Sequence, residues 1–168
     1  MIDYSTKVGE RIFLRYIEEM DLPLMFSWRI NPNIGKWFDT ELTSFKEHLE
    51  WYKKYLNENK TTEYFYMIID KDTGFPIGQI SLYNVDQEKK TAEFGRLIIA
   101  FPDYLGKGYA KEASKIALQF AFETLKLEQV HLEVKATNHT AKKLYDSLGF
   151  KSTGINKSHI FMEIKNVK

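Results

Sequence analysis

The sequence predicts a mixed, mostly antiparallel β-sheet flanked by helices. Three runs of strand-forming residues, 64–69, 77–83 and 91–99, are separated only by short polar turns, a pattern typical of an antiparallel meander. A helical segment over 106–125 follows, and it leads to a further strand-like run over 130–135. The meander and the later alternation of helix and strand together indicate a sheet with helices packed against it.

The first part of the chain adds a strand and an interrupted helix. Residues 10–15 alternate between polar and apolar side chains, which places Ile12 and Leu14 on one face of an opening strand. Residues 20–28 have the pattern of a helix, and we expect Asn31-Pro32-Asn33 to break it.

Another helix is predicted to begin at Thr43-Ser44. Ser44 can cap its first turn, because Glu47 follows three residues later and the pair can satisfy the unbonded amides there. The helical period places four apolar residues on the inner face: Phe45, Leu49, Tyr52 and Leu56. We expect His48 to be exposed, with a position in a substrate pocket as the alternative.

The last third of the chain contains two helices with apolar faces and a closing strand over 160–164. The closely packed face of the first helix is formed by Ala110, Ala113, Ala117 and Ala121. The inner face of the second, over 140–148, is formed by Ala141, Leu144, Tyr145 and Leu148. Gly149 is predicted to end that helix as a left-handed cap.

The composition excludes several classes of function. With 168 residues, we expect one domain spanning 1–168. Lys and Arg number 24 against 23 Asp and Glu, and this balance argues against a nucleic-acid partner. There is no cysteine, so disulfides and thiol nucleophiles are excluded. The histidines at 48, 131, 139 and 159 lack the spacing of metal ligands, so we expect no metal site.

The chain has no stretch with the length and apolar character of a membrane span. Residues 1–7 lack the apolar run and the cleavage site of a signal peptide. We therefore expect a cytoplasmic protein that has no membrane partner.

A glycine-rich turn between a strand and a helix is the first candidate binding site. Within Phe101–Ala110, Gly106 and Gly108 lack side chains, so the phosphate of a ligand could approach the backbone. The amides near Lys107, Gly108, Tyr109 and Ala110, together with the helix dipole, could hold a pyrophosphate. The alternative is a plain turn that requires glycine for its dihedral angles. The turn has neither the P-loop pattern nor the dinucleotide-binding pattern, so ATP and NAD are not expected.

A second motif follows at Asn138-His139-Thr140-Ala141-Lys142-Lys143-Leu144-Tyr145-Asp146-Ser147-Leu148-Gly149-Phe150. With the glycine turn and the strand between them, it resembles the GNAT acetyltransferase superfamily over residues 64–150. The turn is similar to the acyl-CoA motif Gln/Arg-x-x-Gly-x-Gly/Ala, and the later segment to Asn-x-x-Ala-x-x-Leu-Tyr-x-x-Leu-Gly-Phe. Leu105 departs from the first motif, where Gln or Arg is usual, so we expect weaker or rearranged binding of the pyrophosphate.

The resemblance implies that the chain binds acetyl-CoA and transfers its acetyl group to a primary amine by direct attack on the thioester. It also implies that the central strands splay between 91–99 and 130–136. The implied cofactor contacts are Leu97, Ile98, Ile99, Leu105, Gly106, Lys107, Gly108, Tyr109, Ala110, Asn138, Ala141 and Tyr145.

Two residues are candidates for the chemistry. Tyr145 occupies the family's tyrosine position and is the candidate general acid for the departing thiolate, although its helical spacing also fits simple packing. Glu93 is the candidate base that deprotonates the amine, and the alternative is an ordinary surface carboxylate. For Asn138, a role as the N-cap of its helix is compatible with contact to the cofactor.

The acceptor is expected to contact the segment before the core. This segment resembles that of bacterial acetyltransferases that act on nucleotide-linked 4-amino-deoxysugars, as in pseudaminic acid synthesis. The resemblance is carried by Trp28, Arg29, Lys36 and Trp37 and by the following Glu47-His48-Leu49. Arg29 and Lys36 could meet a diphosphate, and either Trp could stack on a base or sugar, or belong to the core.

Other functions stay open at this point. The acids Asp39, Glu41, Glu47 and Glu50 keep a polyamine acceptor possible, and a protein amino terminus is a further alternative acceptor. A CoA-binding module without catalysis is the alternative outside enzymology. Relatives of this kind are often dimers, so a homodimer is possible.

Overall fold

The computed structural model describes residues 6–58 and 61–167, which form an eight-stranded sheet with helices on both faces. The strands are β1 (Thr6–Val8), β2 (Ile12–Tyr16), β3 (Tyr64–Asp70), β4 (Pro76–Asp86), β5 (Thr91–Ile99), β6 (Gln129–Lys135), β7 (Lys151–Ile155) and β8 (His159–Lys165). Their order in the sheet is β1-β2-β3-β4-β5-β6-β8-β7. Only the β5–β6 pair is parallel among these neighbours. The predicted mixed, mostly antiparallel sheet is confirmed.

The helices are α1 (Leu22–Ile30), α2 (Pro32–Gly35), α3 (Phe45–Glu58), α4 (Tyr109–Gln119) and α5 (His139–Leu148). Asn31 separates α1 from α2: its side chain accepts a hydrogen bond from the Asn33 amide at 3.0 Å, and Pro32 opens α2. Gly149 has a φ of 99° and ends α5 as predicted. Within the two described ranges, no helix has the length and apolar character needed to cross a membrane.

Strands β5 and β6 separate after a short contact. They pair only where residues 91–93 meet 129–131, and beyond Glu93 no ladder joins them. The β4–β5 register shifts between Gln79 and Ser81, which places a bulge at Arg96 and Leu97. The predicted splay between the central strands is therefore present.

The bulge reverses the alternation of side chains along β5. Ala92 and Phe94 pack into a core beneath α4 and α5, whereas Ile98 packs into a second core beneath α1 and α3. Without the extra residue, Ile98 would share a face with Phe94, because side chains alternate along a strand. Leu97 and Ile99 consequently pack against the first core.

The buried face of α3 differs in part from the prediction, since Tyr52 is buried and Leu49 packs against the core as expected. Phe45 and Leu56 are 40% and 37% exposed, and the buried residues are His48, Tyr52 and Tyr55. The cause is aromatic packing: Trp51 stacks between His48 and Tyr55, with ring centroids 5.3 and 5.8 Å away, and lies edge-on to Phe65 of β3 at 5.4 Å. The expectation of an exposed His48 was therefore wrong. The Ser44 cap is present, since Ser44 Oγ accepts from the Glu47 amide at 3.2 Å.

Candidate functional site

A cleft of about 860 Å³ opens where β5 and β6 diverge. Its walls come from the end of β5, the glycine turn with the start of α4, and the inner face of α5. The predicted cofactor residues in this lining are Leu97, Ile98, Ile99, Leu105, Gly106, Gly108, Tyr109, Ala110, Asn138, Ala141 and Tyr145. Lys107 is not part of it. The fold thus brings the two sequence motifs to a single cleft.

The backbone of the glycine turn requires its glycines. Gly106 and Gly108 have φ angles of 71° and 86°, in the left-handed region that other residues rarely adopt. Gly108 directly precedes the first residue of α4, so the unbonded amides of that helix end lie at the cleft. A Cβ on Gly106 would have no atom within 4 Å, so this side of the turn is open to a ligand. The geometry fits a pyrophosphate bound by backbone amides.

The cleft edge of β5 offers a second backbone surface. Ile98 and Ile99 pair with β4 on one side, while β6 has already diverged on the other. Arg96 has a φ of 53°, and its carbonyl accepts a hydrogen bond from Gln79 Nε2 at 3.1 Å, which holds the bulge in place. An extended ligand arm could pair with the open edge of residues 97–99 as an added strand would.

Tyr145 lies in the cleft lining and is also part of the core. It is 8% exposed, and its ring packs edge-on against Phe94 and Phe150 with centroids 5.8 Å away in each case. Burial raises the pKa of Tyr145 well above its ordinary value, so the phenol stays protonated at neutral pH and can act as a proton donor. Asn138 caps α5 by accepting a hydrogen bond from the Ala141 amide at 3.2 Å.

Glu93 does not line the cleft. Its Oε1 accepts a hydrogen bond from Asn84 Nδ2 at 2.9 Å and lies 3.6 Å from His131 Nε2. Tyr83, which sits opposite Glu93 in the β4–β5 ladder, does line the cleft. Burial and the neighbouring Glu93 raise the pKa of Tyr83 to about 12, so this phenol also stays protonated. Glu93 is therefore outside the cleft lining but next to Tyr83, which belongs to it.

Glu133 is a cleft residue that sequence reasoning missed. It is exposed, lies on β6 and belongs to the lining together with its neighbour Lys135. A signal was available, because Val130, Leu132 and Val134 alternate as buried residues and so place 133 and 135 on the other face. What the sequence could not reveal is that this other face borders the cleft.

Of the predicted acceptor residues before the core, Trp37 is in the cleft lining, whereas Trp28, Arg29 and Lys36 are not. Trp37 lines the cleft, with Lys36 Nζ 4.9 Å from its ring centroid. Trp28 is 4% exposed and belongs to the core beneath α1 and α3. Arg29 stacks on Phe38, with the guanidinium carbon 4.1 Å from the ring centroid, and donates a hydrogen bond to the Thr40 carbonyl at 2.7 Å.

Side chains of β6 and β8 hold the loop after α2 at the cleft through polar contacts. Lys135 Nζ of β6 donates to the carbonyls of Lys36 and Phe38 at 2.9 and 3.2 Å. His159 Nε2 of β8 lies 3.0 Å from Asp39 Oδ1. These contacts place Trp37 and Asp39 at the mouth of the cleft.

Comparison with known proteins agrees with this geometry. A family model described as "Acetyltransferase (GNAT) domain" matches residues 11–151. The chain is 32% identical over 148 residues to spermidine N(1)-acetyltransferase of Vibrio cholerae, covering 88% of this chain and 83% of that protein. It is 31% identical over 134 residues to acetyltransferase PseH of Campylobacter jejuni, covering 80% and 79%.

Solved structures show the same architecture. The V. cholerae spermidine enzyme, in complex with CoA and spermine, superposes with a TM-score of 0.82 at 29% identity, covering 92% of this chain and 95% of that one. Another structure of that enzyme is dodecameric. FdhC, a nucleotide-linked sugar GNAT, superposes with a TM-score of 0.83 at 25% identity, covering 95% and 89%. The chain belongs to the GNAT family and is an N-acetyltransferase that uses acetyl-CoA.

Proposed function

We propose that this enzyme acetylates a primary amine on an acceptor that also carries negative charge, such as the 4-amino group of a nucleotide-linked deoxysugar. The observation that carries the proposal is the small number of carboxylates in the cleft. Among the described residues, only Asp39 and Glu133 contribute acids to the lining. Asp39 is already engaged by His159 at 3.0 Å and by Lys135 at 3.6 Å. A polyamine, with several ammonium groups, would meet few free carboxylates there.

The mouth of the cleft suits a flat, anionic group. Trp37 is 38% exposed and offers an indole face to a base or a sugar ring. Lys36 Nζ stands beside that ring and can meet a phosphate. The similarity to PseH and to FdhC supports the same class of acceptor.

The reaction forms a bond between the acceptor nitrogen and the acetyl carbon and breaks the carbon–sulfur bond of the thioester. The amine attacks only in its neutral form, so a base or a chain of water molecules must first accept its extra proton. We assign this step to Glu133, which lines the cleft, with Glu93 as the alternative. Tyr145 then donates its phenolic proton to the departing thiolate; the nitrogen releases its second proton to solvent as the amide forms, and solvent returns a proton to the phenol.

The residues proposed to hold acetyl-CoA divide between its two ends. The amides from Lys107 to Ala110 would bind the pyrophosphate, and the open edge of residues 97–99 would pair with the pantetheine arm. Asn138, through its cap of α5, would fix the position of Tyr145.

A polyamine acceptor is the second candidate, because the relative that is 32% identical acts on spermidine. The test measures CoA release with three acceptors: a UDP-linked 4-amino-deoxysugar, spermidine, and a peptide with a free amino terminus. We expect the highest kcat/KM for the nucleotide sugar. A higher value for spermidine would contradict the anionic acceptor and establish the polyamine.

A variant at the mouth of the cleft makes this test sharper. Trp37→Ala should raise the KM of the nucleotide sugar and leave the KM of acetyl-CoA unchanged, because only the acceptor would contact the indole. Phe75→Ala is the matched control, since Phe75 is 51% exposed and lies outside the cleft lining.

We further propose that the enzyme self-associates, as the V. cholerae enzyme does in its dodecameric structure. Strand β7 ends the sheet, is exposed at all five positions, and carries Ile155 at 72% exposure. A strand of this kind can pair with another chain. Light scattering of the parent and of Ile155→Lys tests the idea, and a monomeric parent would contradict it.

A further inference from the structure

A carboxylate lies beside the glycine turn, where an anionic ligand is expected. Glu112 belongs to the first turn of α4, and its side chain is 16% exposed. Negative charge at this helix end would repel the diphosphate of CoA unless it were neutralised. Whatever neutralises Glu112 therefore affects binding of the cofactor.

Arg11, directly before β2, neutralises Glu112 through two hydrogen bonds. Its backbone amide donates to Oε1 at 2.7 Å, and its Nε donates to Oε2 at 2.9 Å. Burial by itself would raise the pKa of Glu112, but the hydrogen bonds from Arg11 outweigh it, and the pKa lies below its ordinary value. The carboxylate is thus ionised and paired.

The same guanidinium contacts two residues of the turn and lies close to the glycine between them. Arg11 Nη1 donates to the Lys107 carbonyl at 2.8 Å, and the guanidinium carbon lies 4.1 Å from the centroid of the Tyr109 ring. A Cβ on Gly108 would lie 3.4 Å from Arg11 Nη2. Arg11 does not line the cleft, so it acts on the turn from behind.

The turn has another attachment that does not involve Arg11. Tyr104 donates a hydrogen bond from its hydroxyl to Asp70 Oδ2 at 3.0 Å, and its ring lies edge-on to Tyr109 at 5.1 Å. Asp70 is 4% exposed at the end of β3, so this hydrogen bond ties the turn to a buried residue of the sheet. Loss of Arg11 would consequently change the charge and the local geometry of the turn without detaching it.

The motif position that usually carries Gln or Arg holds Leu105 in this chain, with 56% of it exposed and no polar group to offer. We propose that Arg11 is a positioning residue for acetyl-CoA: it neutralises Glu112, holds Lys107 and Tyr109 on either side of Gly108, and so sets the affinity of the turn for the diphosphate. A positively charged group from a distant part of the sequence thereby stands near the turn that lacks its usual polar residue.

Binding measurements without an acceptor test this proposal independently of the acceptor. Calorimetry gives the Kd of CoA, and NMR titration gives that of pantetheine, which has the same arm and thiol but no phosphate. Arg11→Gln should raise the Kd of CoA at least tenfold, about 1.4 kcal/mol, and leave that of pantetheine unchanged. Arg15→Gln is the matched control, because Arg15 also pairs with a carboxylate, Asp21 at 2.7 and 2.8 Å, outside the cleft lining.

Variants of Glu112 separate the effect of its negative charge from the effect of Arg11 on the geometry of the turn. Arg11→Gln/Glu112→Gln should recover part of the CoA affinity that Arg11→Gln loses, because the unpaired carboxylate is gone. Glu112→Gln alone should bind CoA at least as tightly as the parent, and this arm remains informative even if Arg11→Gln does not fold. The proposal is overturned if Arg11→Gln leaves the Kd of CoA unchanged or raises the Kd values of CoA and pantetheine equally. It is also overturned if the double variant binds CoA no better than Arg11→Gln does, or if Glu112→Gln raises the Kd of CoA tenfold.

Discussion

The Tyr145 hydroxyl is the proposed proton donor, and its ring packs against Phe94 and Phe150. Tyr145→Phe keeps the contacts with Phe94 and Phe150 but removes the proton. We expect kcat to fall by about 10²–10⁴, with the Kd of CoA nearly unchanged. Steady-state turnover and thermal stability are measured together. A variant as fast as the parent would show that another group or water protonates the thiolate.

The base is tested by comparing two carboxylates. Glu133→Gln should lower kcat/KM at neutral pH by about 10²–10⁴, because the exposed carboxylate in the cleft would no longer accept the proton of the amine. Glu93→Gln should have a smaller effect, since Glu93 lies outside the lining and is held by Asn84. A larger loss in Glu93→Gln would reverse the assignment.

Buried His48 makes stability depend on pH. Its Nε2 has no hydrogen-bond partner among the described residues, and burial, with a contribution from Arg29, lowers the pKa of His48 to about 4. The unfolded chain takes up this proton near the ordinary pKa of about 6.5, whereas the folded chain does not. Stability from this group is therefore lost as the pH falls from about 6.5 to about 4, by at most about 1.4 kcal/mol per pH unit.

His48→Phe retains a ring next to Trp51 and should flatten the pH dependence over this window. Urea unfolding of parent and variant at several pH values between 7 and 4 measures the difference. Equal slopes for the two proteins would show that other groups dominate.

At the scale of elements, the strand–turn–helix unit around Gly108 is expected to respond to a single added side chain. Gly108→Val adds a side chain at a φ of 86° next to Arg11 and at the cleft wall, so we expect the Kd of CoA to rise more than tenfold. Gly74→Val is the control, because Gly74 also has a positive φ of 70° but lies outside the cleft lining. Unchanged CoA affinity in folded Gly108→Val would remove the pyrophosphate from this turn.

Sequence periodicity predicted some helices and strands correctly and missed others. The meander of β3, β4 and β5 follows from short polar turns between strand-forming runs, and the structure contains it. Strand β7 was not predicted, because all five of its residues are exposed and no alternation marks it. The buried face of α3 was predicted correctly for Tyr52 and Leu49 but not for Phe45 and Leu56, because the stack of His48, Trp51 and Tyr55 decides it and hydropathy alone does not.

At the scale of the whole molecule, acetyl-CoA should join the two parts of the sheet that β5 and β6 leave apart. Ligand present at about 100 times its Kd adds about 2.7 kcal/mol to the stability of a folded state that alone binds it. For a chain of this size, we expect the Tm to rise by about 5–10 °C. Thermal unfolding with CoA and with pantetheine measures the effect, and an equal shift with both would contradict a contribution from the diphosphate.

The sequence by itself determined the order of most helices and strands and the glycine turn, because these depend on local spacing. The assignment of Tyr145 and Asn138 to a motif came from the resemblance to the GNAT superfamily. The domain boundaries at 1–168 and the catalytic roles remain predictions. Only the tertiary structure decided which side chains share the cleft. It placed Glu133 and Lys135 in the lining and left Trp28 in the core. It also brought Arg11 to Glu112, 101 residues away in sequence. Such pairings follow from strand order and from the bulge in β5, which are set by long-range packing and cannot be deduced from local periodicity.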